Sequence, residues 1–302
     1  MPPRVNRITA EVVELKYALV GGDARTAHLA QSLARDGHRV CAFALEKADL
    51  TSAVTKTGCL QGCVYGADCV VLPVPAESGG AVNAPLSDNV LTMTETISAL
   101  WPGQVLIGGR FGAECGALGQ RAGVHIIDIL KRPEFLAQNA ALTAECALGV
   151  LIEQSETAIF KSRVLVCGWG RIGRVLALRL AALGAAVTVA ARSEQSRAEA
   201  RALGLAACDY CELESELGGY AFIINTVPAR VLTDAMLCLV SENALILELA
   251  SPPGGFDRSL AANVGLRAVY APGLPGKLAA KRAAELLKAE IYDILREQEE
   301  QP

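Results

Sequence analysis

Three histidines, two tryptophans and three methionines are all that 302 residues contain of those types. Aromatic side chains make up only 5% of the chain, too few for the stacking platforms that hold single-stranded nucleic acid. Positive charge is also short: 28 Lys and Arg stand against 32 Asp and Glu, for a net charge of −4. That balance excludes the basic footprint of a nucleic-acid or anionic-membrane binder. No unbroken apolar run reaches the ~18 residues of a membrane helix. The first residues, M-P-P-R-V-N-R, lack the apolar core of a secretion signal, so a cytoplasmic protein is expected. His28, His38 and His125 have no ligand spacing to the cysteines, and no metal site is expected.

Cysteine, by contrast, is plentiful, at ten residues. Two close pairs occur, Cys208 with Cys211 and Cys59 with Cys63, but neither has the second pair or histidines that a zinc site needs. Cys69, Cys146, Cys167 and Cys238 sit in apolar runs and read as buried, reduced thiols.

Hydrophobic residues make up 52% of the chain, and its length suits two domains. The organising stretch is R-V-L-V-C-G-W-G-R-I-G-R, from Arg163 to Arg174. Val164–Val166 reads as a buried parallel strand. Gly168, Gly170 and Gly173 follow in G-x-G-x-x-G spacing, and an apolar helix pattern runs from Ile172 to Leu183. A second strand is expected at Ala186–Ala190. In that context the glycines read as a dinucleotide loop: Gly168 for the turn, Gly170 for close approach of a pyrophosphate, and Gly173 for helix packing. Arg171 and Ile172 open the helix, whose free N–H groups face the phosphates.

An NAD site wants Asp or Glu about 20 residues beyond the loop, for the ribose 2′-hydroxyl. Here Ala191, Arg192 and Ser193 stand there. An arginine and a hydroxyl suit a 2′-phosphate, so NADP is expected over NAD, with Arg197 as added charge. Strands at Phe222–Asn225, Ala244–Leu249 and Ala268–Tyr270 end in loops that offer Thr226, Val227, Pro228, Ala250, Pro272, Leu274 and Pro275 as cofactor-side contacts.

The first half is also α/β. Lys16–Val20 and Arg39–Ala44 read as strands around a helix from Thr26 to Asp36. The residues before Leu15 read as a loose lead-in or a short first helix. The loop between strand and helix, G-G-D-A-R, lacks the three-glycine spacing, and Asp23 would repel a pyrophosphate. Arg25, with the Gly22 backbone, can hold a carboxylate as a fork or can instead cap the loop. Strands at Cys69–Leu72, Val105–Gly108 and Val124–Ile127 follow, with helices at Thr92–Leu100 and Gly116–Ala122. Ala76–Leu86 reads as a ligand loop at a strand's carboxyl end, with Ser78 as a donor; Arg110 is a further cation. A long helix is expected from Pro133 to Phe160, carrying Asn139, Thr143 and Glu145 towards an interdomain cleft or into solvent. A terminal helix from Leu278 to Gln298 closes the chain, with a frayed charged tail after Leu295.

The expected fold is two Rossmann-like doubly wound parallel-sheet domains, separated by a cleft and joined by long helices. Residues 1–138 form the substrate domain, 139–276 the nucleotide domain, and the helix over 277–302 packs back on the first.

These motifs together resemble the family of the dipicolinate synthase A subunit. The matching stretches are A-L-V-G-G-D-A-R at Ala18–Arg25, V-L-P-V at Val71–Val74 and the glycine fingerprint. N-T-V-P at Asn225–Pro228, L-A-S-P-P-G-G at Leu249–Gly255 and A-P-G-L-P-G at Ala271–Gly276 complete the set. The family commonly has N-S-x-P-T-x-E-G at the linker helix; here N-A-A-L-T-A-E-C keeps Asn139, Thr143 and Glu145. Pro252 stands where a basic residue is common. The resemblance implies oxidation of dihydrodipicolinate, or of its hydroxylated precursor, to dipicolinate in the mother cell of a sporulating bacterium. It also implies, as partner, the flavoprotein-like B subunit of that synthase. On that reading Arg25 and Gly22 take one carboxylate of the substrate, Ser78 or Arg110 the other, and Glu145 is the candidate base. A homo-oligomer is expected. A D-2-hydroxyacid dehydrogenase is the rival enzyme, but those need a His–Glu pair in the nucleotide domain, and no histidine follows His125. A nucleotide-sensing subunit without chemistry of its own is the other rival.

Overall fold

The computed structural model describes residues 14–300, so most of the expected lead-in before Leu15 lies outside the described residues. The chain divides into two compact units, Met1–Gln138 with Ala279–Pro302, and Asn139–Leu278. The first unit begins β1 (Lys16–Val20), α1 (Ala24–Arg35), β2 (Arg39–Phe43), β3 (Val54–Lys56), α2 (Leu60–Val64) and β4 (Cys69–Val71). It continues with β5 (Glu77–Ser78), β6 (Ala81–Val82), α3 (Met93–Ser98), β7 (Val105–Gly108), α4 (Cys115–Ala122) and β8 (His125–Asp128). Helix α5 (Pro133–Glu153) carries the boundary between the units. The second unit runs through β9 (Arg163–Cys167), α6 (Arg171–Ala182), β10 (Ala186–Ala190), α7 (Glu194–Ala202) and β11 (Ala206–Cys208). It ends with β12 (Phe222–Asn225), α8 (Asp234–Leu237), β13 (Leu245–Glu248), α9 (Arg258–Asn263), β14 (Arg267–Tyr270) and α10 (Leu274–Leu278), and α11 (Ala280–Glu300) closes the chain.

Each unit is built on a six-stranded sheet, ordered β3-β2-β1-β4-β7-β8 in the first and β11-β10-β9-β12-β13-β14 in the second. Every pairing in these two sheets is parallel. Counted within each unit this is the 3-2-1-4-5-6 order of a dinucleotide fold, so the expected fold class is present twice. The central strands β4, β12 and β13 are buried along their whole length, as parallel strands covered on both faces must be.

Helix α11 belongs to the first unit because its apolar face repeats at helical spacing: Ala284, Leu287, Ile291, Ile294 and Leu295 are buried in one cluster with Leu29 and Leu33 of α1. Each such aliphatic side chain contributes about 1.5–3 kcal/mol when fully buried. Polar fasteners secure the same helix. Arg132 Nε donates to Glu290 at 2.5 Å, and its two Nη atoms donate to Glu297 at 2.7 Å each. Lys288 and Tyr292 both donate to Asp36 at 2.7 Å. These contacts explain why helix continues through the tail expected to fray.

Several other elements differ from the sequence reading. Helix α5 stops at Glu153, seven residues before Phe160. Arg267 donates to the Gln154 carbonyl at 2.8 Å, and the Ser155 hydroxyl accepts from Thr157 N at 3.0 Å, so side chains take over the backbone groups there. The Ala76–Leu86 loop contains the hairpin β5–β6, because Gly79 and Gly80 both adopt positive φ, the requirement of a tight two-residue turn. The terminal helix is broken at Ala279, and the Pro/Gly loop before it is helical from Leu274. Strands β3 and β11 have three residues each and too little apolar pattern to announce themselves.

Cys238 is exposed rather than buried, and all ten cysteines are free. Burial pushes the Cys63 and Cys69 thiols up to about 12. Among the described residues no group of three or more His, Cys, Asp and Glu side chains is arranged to hold a metal. Helix α5 is also long and apolar enough, by length and composition only, to cross a membrane. Half of its most apolar stretch is buried inside the chain.

Candidate functional site

The glycine loop of the second unit joins β9 to α6, and its three glycines do three different things. Gly168 has φ +105°, and a Cβ there would lie 2.6 Å from Thr226 Oγ1 and 2.7 Å from Val227 Cγ2. At Gly173 a Cβ would fall 2.2 Å from the Gly168 carbonyl oxygen, so only glycine lets α6 pack this tightly on the strand. At Gly170 a Cβ would meet nothing within 4 Å. Gly170 is the N-cap of α6, and no side chain caps that helix start. The result is an open helix N-terminus with room in front of it, the geometry that receives phosphate oxygens. Arg171 is exposed and Ile172 half-buried at the first helical positions.

The remaining loop contacts are internal. Trp169 is buried and donates from Nε1 to Glu199 at 3.2 Å. Arg174 donates to the Trp169 carbonyl at 3.2 Å and pairs with Glu199. Thr226 Oγ1 donates to the Cys167 carbonyl at 2.8 Å, which fixes the residue against which Gly168 turns. Val227 is half-buried and Pro228 exposed.

At the end of β10, Arg192 is exposed and Ser193 caps α7, accepting from Ser196 N at 3.1 Å. Arg197 is not available as the added charge expected of it. Its guanidinium is bound to Glu194 and Asp209 and donates to the carbonyls of Ala191 and Arg192 at 2.7 and 2.9 Å. It therefore shapes the loop, while Arg192 faces solvent. Among the later loops, Ala250 donates to Glu248 Oε1 at 2.9 Å. Leu274 and Pro275 are buried and Pro272 half-buried; only Pro272 offers partly open surface among these three.

In the first unit Gly21 and Gly22 have φ of +71° and +115°. A Cβ on Gly22 would fall 2.0 Å from Thr26 Oγ1, so the helix itself fills the space that stays open at Gly170. Asp23 is the N-cap of α1, accepting from Arg25 N at 2.9 Å. The same carboxylate accepts from Arg25 Nε at 3.0 Å and from Nη2 at 2.8 Å, and Nη2 also donates to the Val74 carbonyl at 2.6 Å. The arginine fork is thus closed on its own loop along its Nε–Nη2 edge. Ser78 sits exposed on the hairpin beside Gly79. Arg110 N donates to Asp128 at 3.1 Å.

On α5, Asn139 and Thr143 stand four residues apart on one face, and Thr143 Oγ1 donates to the Asn139 carbonyl at 2.7 Å. Glu145, two residues further, is exposed and points away from them, since each residue advances the helix by about 100°. Two residues that sequence reading did not nominate are Asn225 and Glu248, both fully or almost fully buried. The signal was available in L-I-L-E-L: an acid at the end of an all-apolar strand must have partners.

A positive-φ glycine, an uncapped helix start and a 3-2-1-4-5-6 sheet define the class as an NAD(P)-binding, dehydrogenase-like protein. Two matching family models agree with that division: the N-terminal domain of the dipicolinate synthase A subunit over residues 16–130, and D-isomer specific 2-hydroxyacid dehydrogenase, NAD binding domain, over residues 147–245. The dipicolinate synthase A subunit of Bacillus subtilis (strain 168) is 31% identical over 287 residues, spanning 94% of this chain and 96% of the relative. The chain belongs to the family of the dipicolinate synthase A subunit. The crystal structure of the same Bacillus subtilis subunit matches with TM-score 0.81 and 29% identity, over 95% of this chain and 98% of that one. The A-subunit structure from Bacillus halodurans matches with TM-score 0.82 and 26% identity, over 93% and 97%. A transhydrogenase from Sinorhizobium meliloti shares the fold at 17% identity, with TM-score 0.68 over 94% of each chain.

Proposed function

We propose that this chain is the oxidoreductase subunit that converts dihydrodipicolinate, or its hydroxylated precursor, to dipicolinate with NADP as acceptor. The observation that carries the reading is the open start of α6 at Gly170, with Arg192 standing where an NAD site has an acid. The dihydropyridine ring loses one hydride and one proton and becomes aromatic; the hydroxylated precursor first loses water to reach that dihydro state. When bound, the oxidised nicotinamide supplies the hydride acceptor.

The chain's own residues bind and orient. The N–H groups at Gly170–Gly173 and the positive end of α6 hold the pyrophosphate. Arg192 holds the 2′-phosphate as a charge-assisted donor, beside Ser193. Thr226, Val227 and Pro228, with Ala250 and Pro272, line the cofactor side. For the dicarboxylate substrate we assign Arg25, with the Gly22 backbone, and Ser78; Thr143 is buried with its hydroxyl proton committed to the Asn139 carbonyl, so the Asn139–Thr143 face is not assigned. Proton removal is assigned to Glu145. The deciding experiment measures the dissociation constants of NADP and NAD on the purified chain; tighter binding of NAD overturns the cofactor assignment. Arg25→Ala should raise the substrate KM strongly, and full turnover by Glu145→Gln removes the base assignment and leaves the proton to solvent.

One observation favours a second reading, a nucleotide-sensing subunit whose chemistry occurs on the flavoprotein-like B subunit. Arg25 spends most of its donors on Asp23 and Val74, which weakens a carboxylate clamp. Assay of the chain alone and together with its flavoprotein-like partner, following dipicolinate and NADPH, separates the two. Turnover only with the partner, without NADP consumption, selects the sensor. The 2-hydroxyacid reading has the nucleotide-domain likeness but lacks any histidine after His125. A homo-oligomer in the mother-cell cytoplasm completes the proposal.

A further inference from the structure

Two buried polar side chains hold together the loops that follow β12 and β13. Asn225 is fully buried, and Glu248 is 1% exposed. The Asn225 amide oxygen accepts from Val227 N at 3.1 Å, and Nδ2 donates to the Val227 carbonyl at 2.9 Å and to Glu248 Oε1 at 2.7 Å. Glu248 Oε1 also accepts from Ala250 N, at 2.9 Å, and Oε2 accepts from Gly255 N at 2.7 Å. The Gly255 carbonyl then accepts from Val231 N and Leu232 N at 2.9 and 3.0 Å. The segments after the two strands are therefore closed into one piece with Glu248 at its centre. The fit is tight: a Cβ on Gly255 would fall 2.3 Å from Asn225 Nδ2, and one on Gly254, at φ +83°, would fall 3.1 Å from Glu248 Oε2.

Burying a carboxylate at the end of an apolar strand is unfavourable unless its oxygens are met by donors. A leucine would serve packing as well. What the carboxylate adds is a fixed anchor for the backbone N–H groups of Ala250 and Gly255, in a loop whose Gly254 and Gly255 leave no room for side chains of their own. In a 3-2-1-4-5-6 sheet each half binds one mononucleotide, and the halves meet where the strand order reverses, here between β9 and β12. Asn225 and Glu248 lie wholly in the β12–β14 half, and the residues assigned to the 2′-phosphate lie in the other.

We propose that Glu248, acting through Asn225, is a positioning residue that sets the Val227 and Ala250–Gly255 backbone for the nicotinamide half of the dinucleotide, independently of the adenosine half. This rests on the reading that the second unit binds a dinucleotide. The pair never touches the reacting atoms; it holds in place the backbone that lines them.

Calorimetric titration of the full-length chain tests this with two probes: NADP, and adenosine 2′,5′-bisphosphate, which occupies only the adenosine half. Glu248→Gln replaces one acceptor oxygen by an N–H₂ group, leaving a backbone donor unpaired. The NADP dissociation constant should rise about tenfold while that of the adenosine probe stays within about twofold, the loss expected for one hydrogen bond to a charged group. An unchanged NADP affinity overturns the proposal. So does an equal rise for both probes, which marks a general loss of structure. If the parent chain binds neither probe, the dinucleotide reading itself fails and takes this inference with it. Should Glu248→Gln not fold, Asn225→Ser keeps the carboxylate on both backbone N–H groups and removes the amide's three hydrogen bonds, to Glu248 and to both backbone groups of Val227. The same split between probes is then expected at roughly threefold, and no split overturns the proposal.

Discussion

The two units share one sheet order and differ at one helix start. In the first, α1 begins with Asp23, whose carboxylate caps the helix and grips Arg25, while Gly22 is packed against Thr26. In the second, α6 begins with Gly170, which has neither a capping side chain nor a neighbour in front of it. One helix end is neutralised by the chain's own anion; the other carries no capping side chain. The same topology therefore carries two different helix starts, and the difference lies in a single loop position.

That contrast can be broken most severely at Gly173. Gly173→Ala places a methyl group 2.2 Å from the Gly168 carbonyl oxygen. Backbone cannot yield cheaply there, so urea unfolding should register a loss of about 3 kcal/mol or more, with nucleotide binding abolished. Wild-type stability would remove the close-packing role. A more selective change copies the first loop into the second. Gly170 has φ −80° and ψ −172°, which any residue can adopt, so Gly170→Asp should cap α6 and stabilise it by about 1 kcal/mol. The same carboxylate should raise the NADP dissociation constant about 100-fold by occupying the phosphate position. If Gly170→Asp still binds NADP at parental affinity, α6 is not the phosphate site.

The reverse change removes the internal anion. Asp23→Ala should cost roughly 1–2 kcal/mol by loss of a helix cap, read as a lower denaturation midpoint, with no effect on NADP affinity. A smaller effect is expected at Arg192. Arg192→Ala should lower the preference for NADP over NAD by about tenfold, since it removes one charge-assisted contact to the 2′-phosphate. An unchanged preference would assign discrimination elsewhere.

The weakest contrast is in proton binding, because all three histidines lie in the first unit. His38 is buried against Tyr17 and Tyr292; its Nδ1 accepts from Leu15 N at 3.3 Å and its Nε2 lies 3.2 Å from the Tyr292 hydroxyl. Burial holds its basicity below the ordinary value of 6.5, although Asp36 pulls the other way. The folded chain thus binds fewer protons than the unfolded chain, and stability falls as pH drops below about 6.5 towards the depressed folded value. Asp36 is itself held below the usual carboxylate range: burial opposes this, but hydrogen bonds from Lys288 and Tyr292 outweigh it. Denaturation of the parent and of His38→Gln at pH 7.5 and 5.5 checks the point. The variant should lose less stability on acidification, and an equal loss assigns the pH dependence to other groups.

The alternation of short apolar strands, glycine stops and helical repeats determined both sheets, because a parallel strand buried on two faces can only be written as a run such as V-L-V or F-I-I. The G-x-G-x-x-G loop and the absence of an acid after β10 were equally legible, since they depend on residues close in the chain. Very short strands such as β3 and β11 were not, because their place comes from the neighbouring strand rather than from their own pattern. Tertiary structure alone decided the rest. It committed Arg197 to Asp209 and tied Arg25 to the Val74 carbonyl. It also brought Asn225 and Glu248, 23 residues apart, within 2.7 Å of each other. Those outcomes depend on which long side chains meet which buried backbone groups after folding, and hydrogen-bond partners brought together by a sheet carry no local mark in the sequence.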